Sequence, residues 1–182
     1  MKSNIKLVEM LKENNLTITC CESLTGGLVA SRIVDVAGSS QVLNESYVTY
    51  AISSKIGLVG VDKDIIEKFG VVSEETAYEM AKKSSLKAKS DLAISTTGIA
   101  GPSGGDERNP VGTVCFGFKI GNEIITLRKV FENRGRNRVR NMAANFAISY
   151  MCKLLSKKIK KYCNRYKIML ELLSILRKVL LV

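Results

Sequence analysis

The sequence predicts an α/β fold in three layers, α/β/α, with a mixed sheet at its centre. Two observations predict it. Amphipathic helical stretches alternate with short apolar runs of strand length along most of the chain. Helices and strands alternating in this way place helices on the faces of a sheet. Late in the chain, two strand-like runs flank Gly121-Asn122, a hairpin signal.

Taken in order, residues 3–14 set Ile5, Val8 and Leu11 on one helical face with Leu7 beside them, and residues 16–20 read as a strand. A polar turn with Ser23, Thr25, Gly26 and Gly27 leads into a helix marked by Leu28, Val29, Ile33, Val34 and Val36, which ends near Gly38-Ser39-Ser40. "SYVTY" (46–50) reads as a strand, followed by a polar link to Ser54-Lys55. Asp62 opens a short helix stopped by Gly70, and Ser73 caps a longer one, "EETAYEMAKKSSLKA". "DLAISTTG" (91–98) is a buried strand running into a glycine-rich loop over 98–112. The hairpin strands "TVCFGFKI" and "EIITLRKVF" follow, and a last long helix starts near Arg138.

Composition excludes whole classes of chemistry. The 182 residues include no histidine, which removes Ser-His-Asp, Cys-His and His-ligated metal mechanisms. A serine hydrolase built from this chain needs another base, and a lysine of lowered pKa is the usual substitute. Five cysteines without a CxxC pair suit buried, reduced thiols better than a disulfide framework or a zinc site. The net charge is +11, yet residues 157–182 hold eight Lys/Arg against one Glu, so the tail carries +7 and the rest only +4. The chain is therefore divided into a domain over 1–156 and a basic amphipathic C-terminal extension over 157–182. Contact with nucleic acid or membrane is expected only through that extension. No signal pattern and no apolar run of membrane-spanning length is visible, so a cytoplasmic location is expected.

Four clusters carry candidate chemistry, and each has a bland alternative. Ser23 stands at a strand-to-helix corner before Thr25-Gly26-Gly27, where it is either an activated nucleophile or a plain helix cap. Tyr50 and Lys55 either share a cleft, with the lysine desolvated enough to accept a serine proton, or are a half-buried tyrosine and a surface lysine. Thr97, Gly98, Gly101, Gly104 and Gly105 form a loop that suits a phosphate or sugar, or is merely flexible. Arg134, Arg136, Arg138 and Arg140 gather at a helix start, against the dipole rule, and are either solvated or paired with an anion.

The order and spacing of these blocks resemble the CinA C-terminal domain family, the nicotinamide-nucleotide amidohydrolases. The resemblance rests on "CESLTGGLVASRI", "AGSS", "YVTYAISSKIGLVGV", "GVVSEETAYEMA", "TTGIAGPSGG", "NPVGTVCFGF" and "RNRVRNMAANFAI", and covers roughly residues 5–155. It implies hydrolysis of the carboxamide of nicotinamide mononucleotide to nicotinic acid mononucleotide and ammonia, in pyridine-nucleotide salvage. It implies Ser23 as nucleophile, Lys55 as base and Tyr50 as the group assisting it, with no metal and no cofactor.

On that expectation the amides around Thr25, Gly26 and Gly27 hold the oxyanion. Thr97, Gly98 and the glycines over 101–105 then hold the ribose phosphate, aided by Arg136. A small-molecule nucleotide substrate and a homodimer or higher oligomer are the expected partners. The alternative is a catalytically weak nucleotide-binding or oligomerising module acting through partners. Two departures from the family pattern bear on it. Ala51-Ile52 replaces the usual Ser-Asn after the tyrosine, and Arg134-Gly135-Arg136 lacks the usual acidic residue.

Overall fold

The computed structural model describes residues 2–179, with side chains described through Lys161. Helix α1 (Ser3–Glu13) buries Leu7, Val8 and Leu11, the face its apolar spacing sets out. The chain cannot extend directly behind it. Asn15 adopts a left-handed φ of 52°, and the Leu16 amide bonds back to the Leu11 carbonyl. Strand β1 therefore runs over Ile18–Glu22, two residues later than expected, and is buried throughout. Helix α2 (Leu28–Val34) follows, and then a 3-10 turn over Ser39–Gln41.

Strand β2 is only Tyr47–Val48, shorter than the five residues its sequence suggests. The expected polar link to Lys55 is instead helix α3 (Ile52–Val59), which carries Lys55 on its buried face. Asp62 caps helix α4 (Lys63–Phe69) by accepting the Asp64 amide. Ser73 caps helix α5 (Glu74–Ala88) by accepting the Thr76 amide. Strands β3 (Leu92–Gly98), β4 (Thr113–Ile120) and β5 (Glu123–Val130) follow the expected order, with the hairpin turning at Gly121-Asn122. Helix α6 starts at Arg136 and continues unbroken to Val179, past the boundary expected at 156/157.

The sheet order is β2-β1-β3-β4-β5. Strand β1 lies parallel to both β2 and β3, whereas β3, β4 and β5 pair antiparallel. Side chains alternate across the sheet and so feed two cores. Ile18, Cys20, Leu92, Ile94, Val114, Phe116 and Phe118 pack with α1, α2 and α6. Cys21, Tyr47, Val59, Val61, Ile66 and Met80 form the smaller core beneath α3, α4 and α5. These are the three layers that the alternation predicts.

Helix α5 lies very close to the sheet because its inner face is small: Thr76, Ala77, Ala81, Ser84 and Ser85 are all buried. Gly117 completes the fit, since a Cβ there would collide with the Ala77 carbonyl. The Ser95 hydroxyl donates to that same carbonyl.

The chain leaves β1 for β2 on one side and then crosses back to β3 on the other. Beyond the carboxyl ends of β1 and β3 this reversal opens a crevice, the place where open α/β sheets receive ligands.

Candidate active site

A cleft of about 680 Å³ occupies that crevice. Ser23 enters it directly from the end of β1. Its amide bonds the Thr96 carbonyl of the neighbouring strand at 2.9 Å, so the start of the turn is fixed by the sheet. Ser23 is 9% exposed.

Lys55 approaches from α3, with no exposed surface at all. Its Nζ donates to the Thr49 carbonyl at 2.7 Å and to Ser23 Oγ at 3.1 Å. No carboxylate pairs with it among the described residues. Burial without a counter-ion disfavours the ammonium form and pushes the Lys55 pKa down to about 8, with Cys21 acting in the opposite direction. At neutral pH about a tenth of the lysine is then a free amine, whose lone pair is within reach of the serine proton.

Glu22, which the sequence reading did not single out, organises the other side of the corner. It is 1% exposed. Its carboxylate accepts the amides of Gly27, Val29 and Ala30 at 3.0, 3.1 and 2.9 Å. It thereby supplies helix α2 with the cap that Gly27, at φ 93°, has no side chain to give. An acidic residue just ahead of a Gly-Gly helix start was the available signal.

This arrangement corrects one expectation. The Gly27 amide is taken by Glu22 and the Gly26 amide by the Ser23 carbonyl at 3.0 Å, while Thr25 is fully buried with its hydroxyl against Thr96. None of the three lines the cleft. Two turn amides, those of Leu24 and Thr25, have no protein acceptor among the described residues, and of these two residues only Leu24 lines the cleft.

Tyr50 lines the cleft mouth with 60% of its surface exposed. Its hydroxyl accepts from Arg136 at 2.6 Å, and Arg136 also donates to the Gly101 carbonyl at 2.9 Å. The phenol is thus turned toward Arg136, and the contact between Lys55 and Ser23 is direct. Both acceptors of Arg136 are neutral, which leaves its charge available to an anion in the cleft.

Thr97, Gly98 and Gly104 line the cleft as expected. The Thr97 hydroxyl, however, is committed to the Val71 carbonyl at 2.6 Å. Gly105 is packed against Val111, where a Cβ would sit 2.7 Å from its amide, so its role is to let the loop fold. Lys68, Phe69 and Arg108 also line the cleft, on α4 and on the glycine-rich loop. Their chemistry is ordinary, and only the fold gathers them. Among the described residues no group of acidic or cysteine side chains could hold a metal ion.

The fold and site together define a class: a three-layer α/β protein with a buried Ser-Lys pair where its parallel strands reverse order. Comparison with known proteins gives that class a name. The family model of the CinA C-terminal domain matches residues 2–155, and the chain belongs to that family. A CinA-like protein of Chlorobium limicola is 51% identical over 109 residues, 60% of this chain and 25% of that protein. One of Petrotoga mobilis is 45% identical over 127 residues, 70% of this chain and 32% of that protein. The chain thus spans between a quarter and a third of the length of these relatives.

Among solved structures, the competence or damage-inducible protein of Enterobacter asburiae superposes with a TM-score of 0.81 at 30% identity, covering 84% of this chain and 96% of that one. The competence/damage inducible protein CihA of Agrobacterium tumefaciens gives 0.78 at 31%, covering 85% and 96%.

Proposed function

We propose that this chain is an amidohydrolase that converts nicotinamide mononucleotide to nicotinic acid mononucleotide and ammonia. The observation that carries the reading is Lys55: fully buried, unpaired by any carboxylate among the described residues, and 3.1 Å from Ser23 Oγ. A cell of packing that desolvates a lysine beside a serine hydroxyl has no structural benefit that methionine would not supply more cheaply. It does produce a base at the nucleophile.

The steps that this reading implies are these. Neutral Lys55 takes the Ser23 proton, and Oγ attacks the carboxamide carbon. The oxyanion that forms lies by the Leu24 amide. Collapse of the intermediate expels the amide nitrogen, which takes the proton from Lys55 and leaves as ammonia. Water, deprotonated by Lys55, then attacks the acyl-enzyme, and collapse expels Ser23 Oγ, which takes the proton back from Lys55 as the acid is released. Arg136, with only neutral partners, and the cleft cations Lys68 and Arg108 suit the phosphate of a mononucleotide. Phe69 lines the same cleft, with the Lys68 ammonium 5.1 Å from its ring centre, and supplies apolar surface for the pyridine.

The test is ammonia release and nicotinic acid mononucleotide formation in metal-free buffer, comparing wild type with Ser23→Ala and Lys55→Met. Loss of about 10³-fold or more in both variants is expected, with nucleotide binding retained in Ser23→Ala. Equal turnover by Ser23→Ala overturns the mechanism. A folded wild type that binds the mononucleotide without releasing ammonia would make the chain a nucleotide-binding module, with the apolar Ile52, which lines the cleft, as the first residue to examine.

A further inference from the structure

We infer that Arg140 is a positioning residue for the amide that receives the oxyanion, and that it acts from behind the turn without touching substrate. The inference rests on the amidohydrolase reading of Ser23 and Lys55, and adds to it a residue that lies outside the cleft.

The turn after Ser23 has three carbonyls, and each is held. The Ser23 carbonyl accepts the Gly26 amide at 3.0 Å. The Leu24 carbonyl accepts Arg140 Nε at 2.9 Å, and the Thr25 carbonyl accepts Arg140 Nη2 at 3.0 Å. One guanidinium, on the second turn of α6, therefore clamps two consecutive peptide planes through a forked contact that only arginine has the geometry to make. The approach is close: a Cβ on Gly26 would lie 3.1 Å from Arg140 Nη2. Gly26 also holds φ at 57°, so this position needs glycine both for its backbone and for the room it leaves the guanidinium.

Peptide planarity converts these acceptor contacts into donor directions. In a trans peptide the N–H points opposite to the carbonyl of the preceding residue. The Ser23 carbonyl, drawn to Gly26, aims the Leu24 N–H away from that bond. The Leu24 carbonyl, drawn to Arg140, fixes the far side of the same residue. Leu24 is thus held at both of its peptides, and it lines the cleft beside Ser23. The residue after a serine nucleophile is also where a backbone donor lies nearest the developing oxyanion.

Charge adds to position. Arg140 also donates to Asn137 Oδ1 at 3.4 Å, a neutral group. The peptides it binds carry the N–H groups of Thr25 and Gly26, so its charge acts on an oxyanion at the Leu24 N–H through its field on the turn rather than through that peptide itself. That benefit arises mainly as negative charge forms on the substrate oxygen, so it belongs to the transition state rather than to binding.

The experiment compares wild type, Arg140→Gln and Arg140→Lys. Steady-state kinetics on nicotinamide mononucleotide are run beside the rate of Ser23 acylation by p-nitrophenyl acetate and thermal unfolding. In Arg140→Gln, kcat is expected to fall by about 10- to 100-fold with KM changed less than about threefold, while the pH limb set by Lys55 stays in place. Arg140→Lys keeps the charge but reaches one carbonyl, and recovers part of kcat. Millimolar guanidinium added to Arg140→Gln restores part of it as well.

A parallel loss in kcat and in the fraction folded, with normal turnover per folded molecule, would make the residue structural only and overturn the inference. So would a rise in KM at constant kcat. If wild type releases no ammonia but its Ser23 is acylated by the ester in an Arg140-dependent way, the substrate reading fails and the positioning role stands. If Ser23 resists both, the nucleophile reading fails and takes this inference with it.

Discussion

Lys55 sets the pH behaviour of the molecule, and the sign can be worked out from its burial. Its pKa falls from 10.5 to about 8 in the folded state. Only the neutral amine accepts the Ser23 proton, so kcat/KM is expected to rise with pH through a midpoint near 8 and to level off about one unit above it. The same shift runs through stability. Between about 8 and 10.5 the unfolded chain carries a proton on this lysine that the folded chain does not, so folding gains stability as pH rises across that window. Below about 8 both states are protonated and the full cost of the buried ammonium is present. Lys55→Met removes the titrating group, and its stability is expected to lack this rise between pH 8 and 10.5. A pH–rate profile and paired denaturant titrations check both halves. A profile flat from pH 6 to 9 would show that Lys55 is not the base.

The element that matters most for the site is helix α2, because its N-terminus borders the nucleophile corner and its cap comes from the preceding strand. Three amides meet one buried carboxylate, that of Glu22. Glu22→Gln turns one acceptor oxygen into a donor facing those amides. It is expected to cost about 2 to 3 kcal/mol, read as a Tm lower by roughly 5 to 10 °C. A Tm within one degree of wild type would mean the carboxylate is not holding the helix.

Elements whose signals are local side chains could be read from the sequence. Asp62 and Ser73 start α4 and α5 at the positions their capping chemistry requires, and Gly121-Asn122 turns the hairpin. Helix α3 could not, because Ala51 at its N-cap has no polar side chain to signal a start, and the stretch up to Ser54-Lys55 reads as a polar link. Its helical state is set by the packing of Val59 and by the space that takes Lys55 inside. Ser23 and Lys55 were legible as separate candidates from residue type and the missing histidines, and the family resemblance is what joined them as a pair. Glu22, Leu24 and Arg140 were not, because their roles depend on hydrogen bonds between segments more than a hundred residues apart in one case and on backbone direction in another.

At the scale of the whole molecule, the last helix decides where the folded body ends. Charge composition divides the chain at 156/157, but the packing does not follow charge. Met151, Cys152 and Leu155 are buried in the main core, and Ile159 still packs against it. Lys158, although one of the basic residues counted with the tail, reaches across to the hairpin. Its Nζ donates to the Ile120 carbonyl at 2.8 Å and lies 3.5 Å from a Glu123 carboxylate oxygen. The carbonyl contact matters more, because the ion pair is largely exposed on the Glu123 side, at 72%, and such pairs contribute little. The Lys158 stem covers the end of β4 as it crosses.

A chain ending at residue 156 therefore loses contacts that a chain ending at residue 161 keeps. The expected difference is about 1 to 2 kcal/mol, from one hydrogen bond and part of an isoleucine. For a domain of this size that is roughly 2 to 8 °C in Tm. The comparison between these two truncations, by thermal unfolding at matched salt, isolates Lys158 and Ile159 from everything that follows them. Ammonia release per folded molecule is expected to be equal in the two, since neither residue approaches the cleft. Equal melting temperatures would place the end of the folded body at 156, where the charge pattern puts it.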